Sequence, residues 1–294
     1  MRRGGDGVPE LRRVLAATDG SEHGLNAVVT GAACARRLGV SLEIVAVVET
    51  LAFPFGVESA DYHDAYSEEL RRRVAAQADA ADAGNASAHL RSGLAAPLIT
   101  ELADELESCL IVVGAHPRPA VARFLVGSTA ERVMRMAHCP VLVATAARRE
   151  PFQRILVAID LSRQSLRVLE IAVAMVQADG AQLRALYVQD RLTPMLLEAA
   201  LFDERESRHH ARSQFSRTLA QVALPSELMV SRSIQEGHAG HEILHEAQDW
   251  DADLVVMGSH GFGFFNRLLL GSTSVHVLRH GHRATLIVPR EKGE

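Results

Sequence analysis

Five residues in the C-terminal half have types and spacing suited to holding a phosphate. They are Gly258, Gly261, Gly271, Ser272 and Thr273, in the pattern G-x2-G-x9-G-S-T. Glycine admits positive φ and lets backbone N–H groups approach a ligand with no side chain in the way. Ser272 and Thr273 add hydroxyls at the expected start of a helix, where free amides and the macrodipole favour an anion. The bland reading, that these glycines only form turns after a strand, stands beside this one. The pattern is neither a Walker A loop nor a dinucleotide fingerprint. Gly261-Phe262-Gly263-Phe264-Phe265-Asn266 offers only G-x-G-x-x-N, and it follows the fourth strand of its unit instead of the first.

The elements that must position these residues are written twice. Gly127-Ser128-Thr129 and Gly271-Ser272-Thr273 are offset by 144 residues in a chain of 294. Val14-Leu15-Ala16-Ala17-Thr18-Asp19 matches Ile155-Leu156-Val157-Ala158-Ile159-Asp160, and Leu110-Ile111-Val112-Val113-Gly114 matches Leu254-Val255-Val256-Met257-Gly258. Unbroken apolar runs of this kind suit strands covered on both faces, the mark of a parallel sheet. Strands are predicted over 13–18, 41–48, 86–91, 110–114 and 141–144, then over 154–160, 182–188, 227–232, 254–258 and 285–288. Helices are predicted over 27–38 (Ser21 as cap, Gly39 as stop), 62–83, 98–107, 128–136 and within 194–222. Strands alternating with helices imply right-handed crossovers and a doubly wound parallel sheet in each half. The predicted domains are 8–147 and 152–290, divided where charge and Pro151 interrupt two strand-like segments.

Composition narrows the chemistry. Hydrophobic residues make up 48% and charged residues 23%, ordinary globular values, and no apolar run approaches the roughly 18 residues of a membrane helix. No membrane partner is expected. The start of the chain lacks the apolar stretch of a signal peptide, which points to the cytoplasm. Net charge is -5 and neither half is basic, with 14 Arg against 18 acids up to Ala147 and 17 Arg plus Lys against 18 beyond it. No nucleic-acid partner is expected. The sole lysine is Lys292, so a Walker A loop, a protein-kinase phosphate lysine and a pyridoxal Schiff base are excluded together. Cys34, Cys109 and Cys139 are widely spaced, with no C-x-x-C, and are expected to be buried thiols.

With an Asp closing the first strand, G-x2-G-x9-G-[ST] resembles the nucleotide-binding pattern of the universal stress protein family, in two tandem copies covering nearly the whole chain. The resemblance implies a five-stranded parallel sheet of order 3-2-1-4-5 per domain, like the adenine nucleotide alpha hydrolase fold. It implies ATP, accompanied by Mg, as the ligand. Asp160 and the backbone of Val188 would hold the nucleoside, and Gly258, Gly261, Gly271, Ser272 and Thr273 the phosphates. In the first half Asp19, Val47, Gly114, Gly127, Ser128 and Thr129 fill matching places, but Pro117 replaces the second motif glycine. Proline has no N–H to donate and forbids the glycine conformation, so phosphate binding is expected mainly in the second domain.

Arg123 and Arg267 also match between halves, as do His116 and His260. Arg267 either pairs with a phosphate or lies on a solvated loop or domain interface, and His260 either bonds the ligand or has no special role. His238, His241 and His245 have helical spacing but no carboxylate partner, so they are read as surface or capping residues. His209, His210, His276, His280 and His282 are read as solvent-facing.

Three functions remain at this stage. The first is an ATP-binding stress-response regulator with little or no hydrolysis. The second is an ATPase or adenylate-forming enzyme, opposed by Thr18-Asp19-Gly20-Ser21 and Ile159-Asp160-Leu161-Ser162, which lack the paired glycines of such enzymes, and by the missing internal lysine and general base. The third is a docking module in which the Gly-rich segment is structural. A homodimer and an unidentified protein partner are the remaining partner expectations. The segments 49–62 and 191–203, which differ most between the halves, are the places for partner specificity.

Overall fold

The computed structural model describes residues 13–49, 60–117, 124–125, 127–189, 204–260 and 270–290. The chain divides into two compact units, one ending at Pro151 and one running from Phe152 to Arg290.

The first unit contains β1 (Arg13–Thr18), α1 (Glu22–Leu38), β2 (Ser41–Val48), α2 (Ala60–Ala80), β3 (Ser87–Ser92), α3 (Ala95–Glu105) and β4 (Leu110–Gly114). A short antiparallel pair follows, β5 (His116–Pro117) with β6 (Phe124–Leu125), then α4 (Ser128–Met136) and β7 (Val141–Ala144). The parallel order is β3-β2-β1-β4-β7. The second unit runs β8 (Arg154–Ile159), α5 (Gln164–Asp179), β9 (Gln182–Gln189), α6 (Glu204–Ala220) and β10 (Val230–Glu236). It continues through α7 (Ala239–Asp249), β11 (Leu254–Gly258), α8 (Ser272–His280) and β12 (Ala284–Val288), with parallel order β10-β9-β8-β11-β12. Both orders are the expected 3-2-1-4-5, and chain direction reverses its winding between the first and fourth strands, where open α/β sheets bind ligands.

Burial follows the apolar runs. Val14, Leu15, Ala16, Ile111 and Val112 are fully buried in the first unit, and Ile155, Leu156, Val157, Leu254 and Val256 in the second. The strands β3 and β10 are polar and half-exposed, as suits strands outside the central core. That polarity displaces one prediction: the strand expected over 227–232 lies at Val230–Glu236. A turn closed by Leu228 N–H on the Pro225 carbonyl at 2.9 Å occupies the start of the predicted segment. Pairing with β9, Val230 opposite Leu183 through Glu236 opposite Gln189, sets the register that the weak alternation of β10 does not.

Helix α1 starts at Glu22, earlier than predicted, because the Ser21 hydroxyl accepts from Gly24 N–H and caps it there. Gly39 ends it at φ 69, as predicted. Helix α3 starts at Ala95, with Pro97 in its first turn, where a missing N–H has no helical acceptor to lose. Cys34 is buried, but Cys109 and Cys139 are only half-buried, which corrects the expectation for those two. Cys109 Sγ donates to the Arg13 carbonyl at the start of β1. Of the partner-specificity segments, residues 50–59 and 191–203 lie outside the described residues. Among the described residues, no helix is long and apolar enough to cross a membrane.

Candidate functional site

The carboxyl end of β8 turns at Asp160. Ser162 N–H donates to Asp160 Oδ1 at 3.1 Å and the Ser165 hydroxyl donates to the same oxygen at 2.9 Å. Asp160 Oδ2 is buried and has no hydrogen-bond partner. Leu161 makes the turn at φ 62, a left-handed conformation that glycine would adopt more readily; Gly20, in the matching place of the first unit, has φ 77. Strand β9 loses its rung to β8 after Ile159 opposite Tyr187, so Val188 stands one residue past the last pairing on that side.

These ends bound an open cleft at the carboxyl end of the sheet, the place where open α/β folds bind ligands. Its apolar wall includes Ala158, Val168, Leu186, Ile243 and Met257; its polar wall includes Asp160, Gln164, Gly258, His260 and Thr273. Four sequence-predicted residues, Asp160, Val188, Gly258 and Thr273, therefore meet in one place, with His260 beside them. Gly271 and Ser272 are not in its lining but start α8, which carries Thr273 into it. Gly261 and Arg267, and in the first unit Arg123, lie outside the described residues.

Gly258 and Gly271 serve by a different route from the positive φ expected of motif glycines. Gly271 has φ -59, and Gly258 is not in the left-handed region either. Gly258 is required by close approach: a Cβ there would sit 3.2–3.3 Å from the Gln164 amide. Gly271 N–H is already used, donating to the Ser259 carbonyl at 2.8 Å, while Ser274 Oγ donates to the Gly258 carbonyl at 2.8 Å. These bonds hold the first turn of α8 against the end of β11. The helical ladder opens with Val275 N–H on the Gly271 carbonyl, so the amides of Ser272, Thr273 and Ser274 have no helical acceptor. The donors thus lie on the helix start, not on Gly271.

The first unit repeats the frame but packs the described residues around it differently. Asp19 Oδ1 accepts from Ser21 N–H at 3.0 Å and from its hydroxyl. Val47 again lies one residue beyond the last rung, here Thr18 opposite Ala46. At Gly114, however, a Cβ would lie 2.1 Å from the His23 carbonyl, so the α1 backbone itself covers the place that a side chain covers in the second unit. Gln77 of α2 closes the β1–α1 turn from the other side. It accepts from Thr18 Oγ1 at 2.6 Å and donates to the Ser21 carbonyl at 2.8 Å. Pro117 pairs with Phe124 in the β5–β6 ribbon, just ahead of Gly127, Ser128 and Thr129 at the start of α4; His116 pairs there with Leu125.

Sequence reasoning missed Gln164, Ser165 and Ser274. No motif marks them; the available signal was their position, just after the strand-ending Asp160 or just inside α8. It also missed a histidine stack. His276 and His280 were read as solvent-facing but are half-buried and stacked, with ring centroids 4.3 Å apart, and His241 lies 4.4 Å from His276. His238, the N-cap residue of α7, lies 5.1 Å from His241, and Gly240 makes room, since a Cβ there would come within 2.7 Å of the His276 ring. Among the described residues, no group of three or more His, Cys, Asp or Glu is arranged to hold a metal ion.

A tandem pair of doubly wound α/β units, with an open cleft at the switch point of the second, is the class of protein these observations define. The family model described as the universal stress protein family matches residues 10–145 and again 151–289. A universal stress protein of Mycobacterium tuberculosis is 28% identical over 94% of this chain and 94% of its own length. Another from that species is 31% identical over 66% of this chain, a match spanning 65% of the relative. Among solved structures, a universal stress protein from Archaeoglobus fulgidus shares the fold at TM-score 0.73 and 22% identity, covering 95% of this chain and 98% of that one. The chain belongs to the universal stress protein family, in a tandem form.

Proposed function

We propose that this protein is a cytoplasmic stress-response regulator that binds ATP in its Phe152–Arg290 unit and releases it largely unhydrolysed. The observation that carries the reading is the polarity of the cleft. Two of its lining residues, Asp160 and Gln164, each carry a buried oxygen, Oδ2 and Oε1, that has no donor. Its rim includes the start of α8, where the amides of Ser272, Thr273 and Ser274 have no helical acceptor and favour an anion. A molecule with neutral donors at one end, a flat apolar body and phosphates at the other complements that arrangement, and a nucleotide is such a molecule.

Mg2+ fits as a companion of the phosphates, because it keeps several waters and needs only one or two protein ligands. The Ser272 and Thr273 hydroxyls at the start of α8 are oxygen donors suited to it. Turnover is disfavoured by the absence of internal lysine to stabilise a leaving phosphate. The crowding of Gly114 by the His23 carbonyl and the Gln77 bonds to the β1–α1 turn support a single strong site per chain.

Calorimetric titration with MgATP tests the reading. One strong site per chain and phosphate release far below the roughly 10 per second of a dedicated enzyme are expected. Two equally tight sites would contradict the asymmetry. Absence of binding up to millimolar ATP would instead favour a docking module, and turnover at an enzyme's rate would make the protein an ATPase.

A further inference from the structure

Gln164 belongs to no motif in the chain, yet its side chain is buried and tied across the unit. It is the first residue of α5 and is 6% exposed. Its Nε2 donates to the Val288 carbonyl at 2.8 Å, a bond between residues 124 apart in sequence that ties the start of α5 to the end of β12. That bond decides which way round the amide sits. Turning it over would set Oε1 against a carbonyl oxygen, two acceptors facing each other with no proton between them. Oε1 is therefore committed to the opposite side, where it is closed off from solvent and has no donor. Gly258 runs alongside: a Cβ on it would lie 3.3 Å from this oxygen, so only glycine leaves the amide undisturbed.

A buried acceptor without a donor costs about 1–3 kcal/mol, and such groups in native proteins call for an explanation. A second one belongs to another residue lining the same cleft. Asp160 Oδ1 is satisfied by Ser162 and Ser165, whereas its Oδ2 is not. An anion is the wrong partner for a carboxylate beside an amide oxygen; a neutral O–H or N–H donor is the right one. The first unit has His23 in the matching place, and there the backbone carbonyl of that residue, not a side chain, lies over the strand-ending glycine.

Resting on the nucleotide reading above, we propose that Gln164 is a specificity residue: its amide oxygen accepts from a neutral donor on the nucleoside, and nucleotides lacking that donor are discriminated against. The donor is the 2′-hydroxyl of the ribose or the amino group of the base. Sites built to bond an O–H or N–H reject analogues without it because the buried acceptor is then left unpaired.

Binding of ATP, 2′-deoxy-ATP and purine riboside triphosphate, which lacks the amino group, is measured calorimetrically on the full chain and on Gln164→Met. Methionine keeps the length and apolar volume and removes the acceptor; circular dichroism and thermal unfolding report whether the variant folds. The parent is expected to bind one of the two analogues about tenfold more weakly than ATP, the loss of one hydrogen bond. Which analogue suffers identifies the donor. Gln164→Met is expected to bind ATP about tenfold more weakly and that analogue unchanged, so the ratio collapses toward one. A parent that binds all three equally overturns the inference whether or not the variant folds. A folded Gln164→Met that keeps the parent's ratio overturns it too, assigning discrimination elsewhere. A parent that binds none of the three overturns the nucleotide reading itself, and this inference with it.

Discussion

Ser165 Oγ lies 2.9 Å from Asp160 Oδ1 and donates to it, so one carboxylate oxygen is taken up by the protein and the other is left over. The matching position in the first unit is Gly24, where a Cβ would stand 2.1 Å from Thr18 Oγ1. The same backbone turn thus holds an oriented acid beside a cleft in one unit and a tightly closed contact in the other. The repeat keeps the frame, and the residues packed against it differ.

Asp160→Asn should separate the two oxygens. The asparagine carbonyl will take the bonds from Ser162 and Ser165, which places NH2 where Oδ2 was and turns an acceptor into a donor. Affinity for adenosine and for ATP should fall alike, by about tenfold or more, because the phosphates are not involved. Titration with both ligands checks this; an effect on ATP alone would mean that Asp160 faces the phosphates.

Gly114→Ala and Gly258→Ala should differ although the two glycines occupy the same motif position. At Gly114 the new methyl meets the His23 carbonyl, a backbone atom that cannot turn aside, whereas at Gly258 it presses on the Gln164 side chain at 3.2 Å. Gly114→Ala is expected to cost the first unit upwards of about 3 kcal/mol, and Gly258→Ala about 1–2 kcal/mol, from equilibrium denaturation. Gly258→Ala should also weaken ATP binding through the displaced amide; Gly114→Ala should not.

Gln77→Ala removes an acceptor from Thr18 Oγ1 and a donor from the Ser21 carbonyl. Loss of the pair should lower first-unit stability by about 1–3 kcal/mol. One ATP per chain should still bind, since the cleft lies in the other unit. A second strong site in this variant would show that Gln77 alone closes the first-unit site.

Glu246 carries the clearest pH dependence. Burial on its own raises the carboxyl, but hydrogen bonds from Gln235, Arg184 and Ser233, with the Arg184 charge, outweigh it and hold the group below the ordinary carboxylate value. A lowered folded-state value means that the contribution is fully present above about pH 4.3, the ordinary glutamate value, and is lost as pH falls through the lower folded value. Unfolding of the second unit followed from pH 7 to pH 3 should show this loss. Glu246→Gln should be less stable at pH 7 and have a shallower acid limb; an unchanged limb would refute the assignment.

Much of this architecture is legible in residue order because it rests on short-range physics. Apolar runs such as Ile155 to Ile159 are strands because every second side chain needs a covered face, and here both faces are covered. Ser21 caps α1 and Gly39 stops it through bonds and dihedrals set within a few residues. The repeated Gly-Ser-Thr and the Asp closing each first strand place the cleft at the right end of the right strands. The same local rules do not reach the register of β10, which is too polar to fix its own pairing, or the stack of His241, His276 and His280, whose members come from two helices.

Nor do they reach the difference in packing between the two halves around the strand-ending glycines. Whether a strand-ending glycine faces a backbone carbonyl, as Gly114 does, or an oriented amide, as Gly258 does, depends on how closely a helix settles on the sheet. Gln164 acquires its direction from Val288, at the far end of its unit. Spacing along the chain is set by covalent geometry and is visible in one dimension. Contacts of this kind exist only when distant segments come within hydrogen-bonding distance, and a difference of about an ångström there separates a glycine pressed on a backbone carbonyl from one lying along a side-chain amide.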